Sequence, residues 1–119
     1  MPHKDDLIRI RHMLDAAKEA ADFAQGKTKA DLQDNRMLLL ALVRSLEVIG
    51  EAASKVSEPF RHIFPEIAWA DAVGMRNRLI HAYFDISLGI IWRTVQEDLP
   101  PLISALEGIL ASEFARSNE

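Results

Sequence analysis

Apolar residues recur at spacings of three and four along nearly all of this 119-residue chain, and no two-residue alternation of any length interrupts them. A chain with that period buries its apolar surface by packing helices side by side, not by pairing strands. Leu7, Ile10, Leu14, Ala17, Ala21 and Ala24 set the pattern and predict a helix over about 4–25, stopped by Gly26. A second helix is expected from an N-cap at Asp31 or Asp34 to about Val56, with Leu39, Leu42, Val43, Leu46, Ile49, Ala53 and Val56 facing inward. Leu38 and Leu40 widen its stripe, as a helix with several neighbours requires. Gly50 weakens it and is expected where helices approach closely.

Pro59 and Pro65 mark residues 57–66 as a connection with room for one helical turn. A third helix is expected over about 69–82. A fourth follows a cap at Asp85 or Ser87, with Leu88, Ile91, Trp92, Val95 and Leu99 on one side. Pro100 and Pro101 then demand a kink or a restart, because neither carries an N–H and each ring crowds the preceding turn. The apolar pattern resumes through Leu102, Ile103, Leu106, Ile109 and Leu110. The expected architecture is all-α, a four- to five-helix up-and-down bundle, built as one domain over residues 1–119.

The absence of cysteine excludes a disulfide scaffold, thiolate catalysis and a cysteine-ligated metal. The polar N-terminus and the short longest apolar run, Met37–Val43, give no signal peptide or membrane span, so a cytoplasmic protein is expected. The net charge is -4, unlike the basic balance of most nucleic-acid binders. From Phe84 onward six acids face two bases, so the whole excess lies in that part and the first 83 residues sum to zero (-4 minus -4). An anionic substrate would therefore be held by local groups and not by a global field.

The local groups stand at Arg76, Asn77, Arg78, His81 and Tyr83, in the pattern R-x-x-x-x-H-x-Y. Arginine neutralises phosphate through a planar fork, and histidine as a type titrates close to neutral pH. RNA carries its own nucleophile in the 2′-hydroxyl. A histidine that removes its proton, or protonates the leaving oxygen, suffices beside an arginine that meets the growing negative charge. Asn77 can orient a group, Arg78 can contact the backbone, and Tyr83 can bond phosphate or stack on a base. No metal cluster is evident and no cofactor is implied. On an ideal helix Arg76 and Tyr83 point almost the same way, whereas Arg76 and His81 stand about 140° apart. Either the helix unwinds near His81 or a second protomer supplies the missing partner. The eight-position pattern by itself is short and recurs by chance.

Its setting is more specific. The blocks Leu46–Ala53 (LEVIGEAA), Pro65–Trp69 (PEIAW), Gly74–Phe84 (GMRNRLIHAYF), Ile91–Trp92 and Asp98–Pro100 occur in an order that resembles the HepT family of HEPN-type toxins, over essentially the whole chain. That resemblance implies a HEPN bundle that dimerises with its R-x-x-x-x-H motif lining the interface cleft. It implies a metal-independent endoribonuclease with Arg76 and His81 as the catalytic pair and RNA as substrate. It also implies pairing with a MntA-type nucleotidyltransferase antitoxin, as in type VII-like toxin–antitoxin systems, which silences the toxin by AMPylation of the motif tyrosine, here Tyr83.

A second reading is a non-catalytic HEPN adaptor that binds its nucleotidyltransferase partner, nucleotide or substrate; the acidic balance favours it slightly. Other candidates read as structural. Arg44 and Glu47, three apart, suit a surface pair, and Glu51 suits a solvated or ion-paired position. Arg61 with His62 forms a candidate basic rim. His3 and His12 lack a metal-ligand companion. Trp69 and Trp92 are expected in the core or at a dimer seam.

Overall fold

A computed structural model describes the backbone of residues 3–81 and 88–117, and the side chains of residues 3–75 and 88–113. Its elements, in order, are α1 (Lys4–Ala24), α2 (Lys29–Asp34), α3 (Arg36–Ser54), α4 (Glu58–Ile63), α5 (Trp69–His81), α6 (Leu88–Arg93), a π-helical turn (Thr94–Asp98) and α7 (Leu99–Ser117). Among the described residues there is no strand. The all-α bundle expected from the periodicity is what forms.

α3 is the central rod. It packs most extensively on α1 and next on α5, while α7 lies back against α1. Its buried residues, among them Leu38, Leu39, Leu42, Val43, Leu46, Ile49 and Ala53, span about half of the helix circumference. That is wider than the stripe of a helix with one neighbour. It takes in Leu38 as expected, but Leu40, expected to widen the same stripe, is exposed, because its position points away from the buried arc. Gly50 is also buried within this arc. α1 contributes Ile10, Met13, Leu14, Ala17 and Ala20, and the last helix contributes Leu99, Leu106 and Ile109, all buried in the same core.

The expected single helix over 31–56 is two. Thr28 caps α2: its hydroxyl accepts from the Asp31 N–H at 3.4 Å, while the Asp31 carboxylate accepts from the Thr28 N–H at 2.7 Å. Asp31 is thus the third residue of a capping box and not the cap itself. Asn35 then breaks the chain with extended backbone and caps α3 by accepting from the Leu38 N–H at 3.0 Å.

α4 is the short helix allowed in this connection; it holds Pro59 in its first turn and ends before Pro65. Its cap ties it to α1 across 51 residues of sequence. The Asp6 carboxylate accepts from the Ser57 N–H and from the Ser57 hydroxyl, both at 2.7 Å, and Ser57 in turn accepts from the Phe60 N–H. His3 flanks Asp6 at 3.7 Å and sets its ring edge against buried Phe60.

At Pro100 and Pro101 the expected interruption takes the form of a π-helical turn, after which α7 starts at Leu99. The Leu99 N–H reaches back five residues to the Thr94 carbonyl, which widens the turn before the prolines enter α7. The widening accommodates two rings that would clash with the carbonyls of Gln96 and Glu97 in an α-helix. Both prolines then sit in the first turn of α7, where a missing N–H is tolerated. No helix among the described residues is long and apolar enough to cross a membrane.

Two glycines give opposite expectations. Gly26 has φ of 74° just past α1, and an added Cβ would meet nothing within 4 Å, so the cost of Gly26→Ala is conformational, about 1 kcal/mol. Gly108 is exposed within α7 and equally uncrowded, so Gly108→Ala should stabilise by about 0.5–1 kcal/mol. Urea unfolding of both variants checks the signs. Asp6 is buried, and Asp6→Ala strips the half-buried Ser57 hydroxyl and amide of their acceptor, which should cost about 1–3 kcal/mol in the same assay.

Candidate functional site

The candidate residues ride on α5, so their placement depends on how that helix is seated. Its first residue, Trp69, is buried, and the indole N–H donates to the Phe64 carbonyl at 3.0 Å. The Arg61 guanidinium lies over the indole face, 5.9 Å from the ring centre. The same guanidinium donates from Nε to the Val56 carbonyl at 3.1 Å and from Nη2 to the Ala53 carbonyl at 3.0 Å. Arg61 therefore joins the end of α3, the short α4 and the start of α5. Arg61 and His62 do not form the candidate basic rim: Arg61 is engaged by carbonyls, and His62 is exposed, as a solvated histidine would be.

Ala72 and Met75 are buried and Val73 is half-buried, whereas Ala70 and Asp71 are exposed. These residues define the inward and outward sides of α5. At about 100° per residue, position 76 falls between positions 72 and 73, on the inward side. Position 81 falls between positions 70 and 74, on the outward flank. The helix is continuous through His81, so it does not unwind ahead of the histidine, and positions 76 and 81 keep their angular separation. Asn77 and Arg78 also lie within the helical backbone of α5. Tyr83 lies outside the described residues, as do the two expected caps, Asp85 and Ser87.

The remaining candidates find partners or solvent. Arg44 pairs with Glu47 at 3.5 Å and Lys55 with Glu51 at 3.3 Å, both along the surface of α3. His12 is exposed, and His3 belongs to the Asp6–Ser57 tie. Trp92 packs partly buried against the core.

A groove of about 310 Å³ separates α5 from α7. Its floor is apolar, with Ile67, Ala72, Met75 and Leu102, and Glu66, Asp71 and Asp98 lie along it. Among the described residues no basic side chain lines it.

The sequence was compared with known families and proteins. The family model for "Ribonuclease HepT-like" matches residues 13–109. A protein of Methanocaldococcus jannaschii named "Putative RNase MJ1380" is 34% identical over 107 residues, which cover 90% of this chain and 98% of that protein. The "Probable ribonuclease HepT" of Thermococcus cleftensis is 35% identical over 105 residues, covering 88% and 93%. No solved structure matches the chain significantly. The family match runs from the middle of α1 through most of α7 and includes all of α5: this chain belongs to the HepT-like ribonuclease family.

Proposed function

We propose that this protein is a metal-independent endoribonuclease, the toxin of a type VII-like toxin–antitoxin pair, cutting RNA in a cleft shared by two copies of the chain. In this reading the whole chain, 1–119, is one HEPN unit acting in the cytoplasm. Membership of the HepT-like family supports the nuclease class. The observation that carries the shared cleft is the unbroken helix through His81. One helix does not turn positions 76 and 81 to the same side, whereas two helices related by a two-fold axis can face Arg76 of one protomer with His81 of the other.

The chemistry follows from the residue types. The 2′-oxygen attacks the adjacent phosphorus, its proton passes to one imidazole, and the P–O5′ bond breaks as a second imidazole protonates the leaving oxygen. The products are a 2′,3′-cyclic phosphate and a 5′-hydroxyl. Two-fold symmetry provides two His81 side chains for these two roles, and Arg76 neutralises the phosphoryl oxygens as charge builds. Asn77 and Arg78 hold the RNA backbone, and Tyr83 contacts it where a base or phosphate passes. A MntA-type nucleotidyltransferase partner would silence the site by attaching AMP to Tyr83, adding negative charge and bulk that exclude RNA.

The -4 balance and the acidic groove favour one other reading, a non-catalytic adaptor that binds its nucleotidyltransferase partner. Turnover separates the two. Purified protein, with Tyr83 verified as unmodified by intact mass, should cleave RNA in EDTA and leave cyclic phosphate ends. Arg76→Ala and His81→Ala should each lower the rate at least about 100-fold. Co-expressed, the two variants should stay inactive, because a mixed dimer carries one of the two His81 imidazoles that the reaction uses. Recovery to about a quarter of native activity would mean instead that one Arg76 and one His81 from opposite protomers suffice at each of two separate sites. A native protein inactive across a broad RNA panel would leave the adaptor reading.

A further inference from the structure

We propose that Arg61 and Trp69 form a positioning clamp for α5, one that sets the aim of the helix carrying Arg76 and His81. The inference rests on the nuclease reading above, and neither residue touches substrate in it. Trp69 is fixed on two sides: its N–H is bonded to the Phe64 carbonyl, and its face is covered by the Arg61 guanidinium. Arg61 is itself fixed by two carbonyls, that of Ala53 in the last turn of α3 and that of Val56 two residues beyond its end. The central rod of the bundle is thereby linked to the first residue of α5 through one rigid fork. Lysine cannot reproduce the link, since a single ammonium does not present two divergent donors and a flat face together.

Helix geometry gives the clamp its leverage. Position 76 is seven residues beyond Trp69, about 10 Å along the axis and only about 20° around it. The azimuth of Trp69 is therefore nearly the azimuth of position 76. Position 81 lies about 18 Å along the axis, so a swing of about 5° at Trp69 moves it by about 1.6 Å. A displacement near 1 Å at a reacting group can cost about 100-fold in rate. Groups remote from the phosphate then govern turnover through the seating of one helix end.

The test compares native protein with Arg61→Lys, Trp69→Phe and Gly26→Ala. Gly26→Ala serves as a control for stability loss far from α5. Steady-state RNA cleavage is measured below the unfolding range of every variant, with amide hydrogen exchange read by peptide on the same samples. The clamp predicts a fall in kcat of about 10- to 100-fold for both clamp variants, with KM within about two-fold of native. It predicts faster exchange confined to residues 69–81 and native kcat in Gly26→Ala. Unchanged kcat in both clamp variants overturns it. So does a raised KM with native kcat, which would mark Arg61 as an RNA contact. If native protein cleaves no RNA, the nuclease reading fails, and exchange alone then decides the clamp. Faster exchange confined to α5 supports it, and unchanged or general exchange refutes it.

Discussion

α3 must bury half of its circumference, and the rest of the bundle is arranged around that requirement. Its apolar arc is too wide for one neighbour, so α1 covers one flank and α5 the other. Burial of side chains such as Leu42, Leu46 and Ile49 supplies the main stabilisation, on the order of 1.5–3 kcal/mol each. Surface ion pairs such as Lys18–Glu107, at 3.2 Å and half exposed, add little by comparison. Because α5 is held on the central rod, anything that fixes the end of α3 also fixes the helix that bears the candidate catalytic residues.

The short elements act as fasteners in this scheme. α4 is too short to be stable alone, but its cap is bonded to Asp6 on α1 and its Arg61 reaches the carbonyls that end α3. One turn of helix thus connects three rods. The π-helical turn does comparable work near α7. It lets one apolar stripe run from Ile91 through Leu99 to Leu106 despite two adjacent prolines, and all three side chains are fully buried.

Charge is distributed unevenly over the chain. Among the described residues the groove between α5 and α7 has acids and no bases along it, and the acidic excess of the chain lies after residue 83. A polyanion would meet repulsion along that groove. At physiological salt such repulsion reaches about 8 Å. It would shape where an anion settles more than how tightly it is held.

The amino-acid sequence determined the helical class, the inward stripes of α1, α3 and α7, and the stop at Gly26. These depend on apolar spacing and on one residue's tolerance of positive φ, which are local properties. It also marked Arg76 and His81 as candidates, because their types and spacing are written along one helix. Local signals misled where two competed: Asp31 and Asp34 resembled caps, while Thr28 and Asn35 took that role. The tertiary structure alone decided that Arg61 grips the end of α3 and not a phosphate, and that Asp6 caps a helix 51 residues away. Those pairings lie across chain breaks that no periodicity spans. A long side chain bonds to whatever acceptors folding brings within about 3 Å, and only the packed bundle fixes which ones those are.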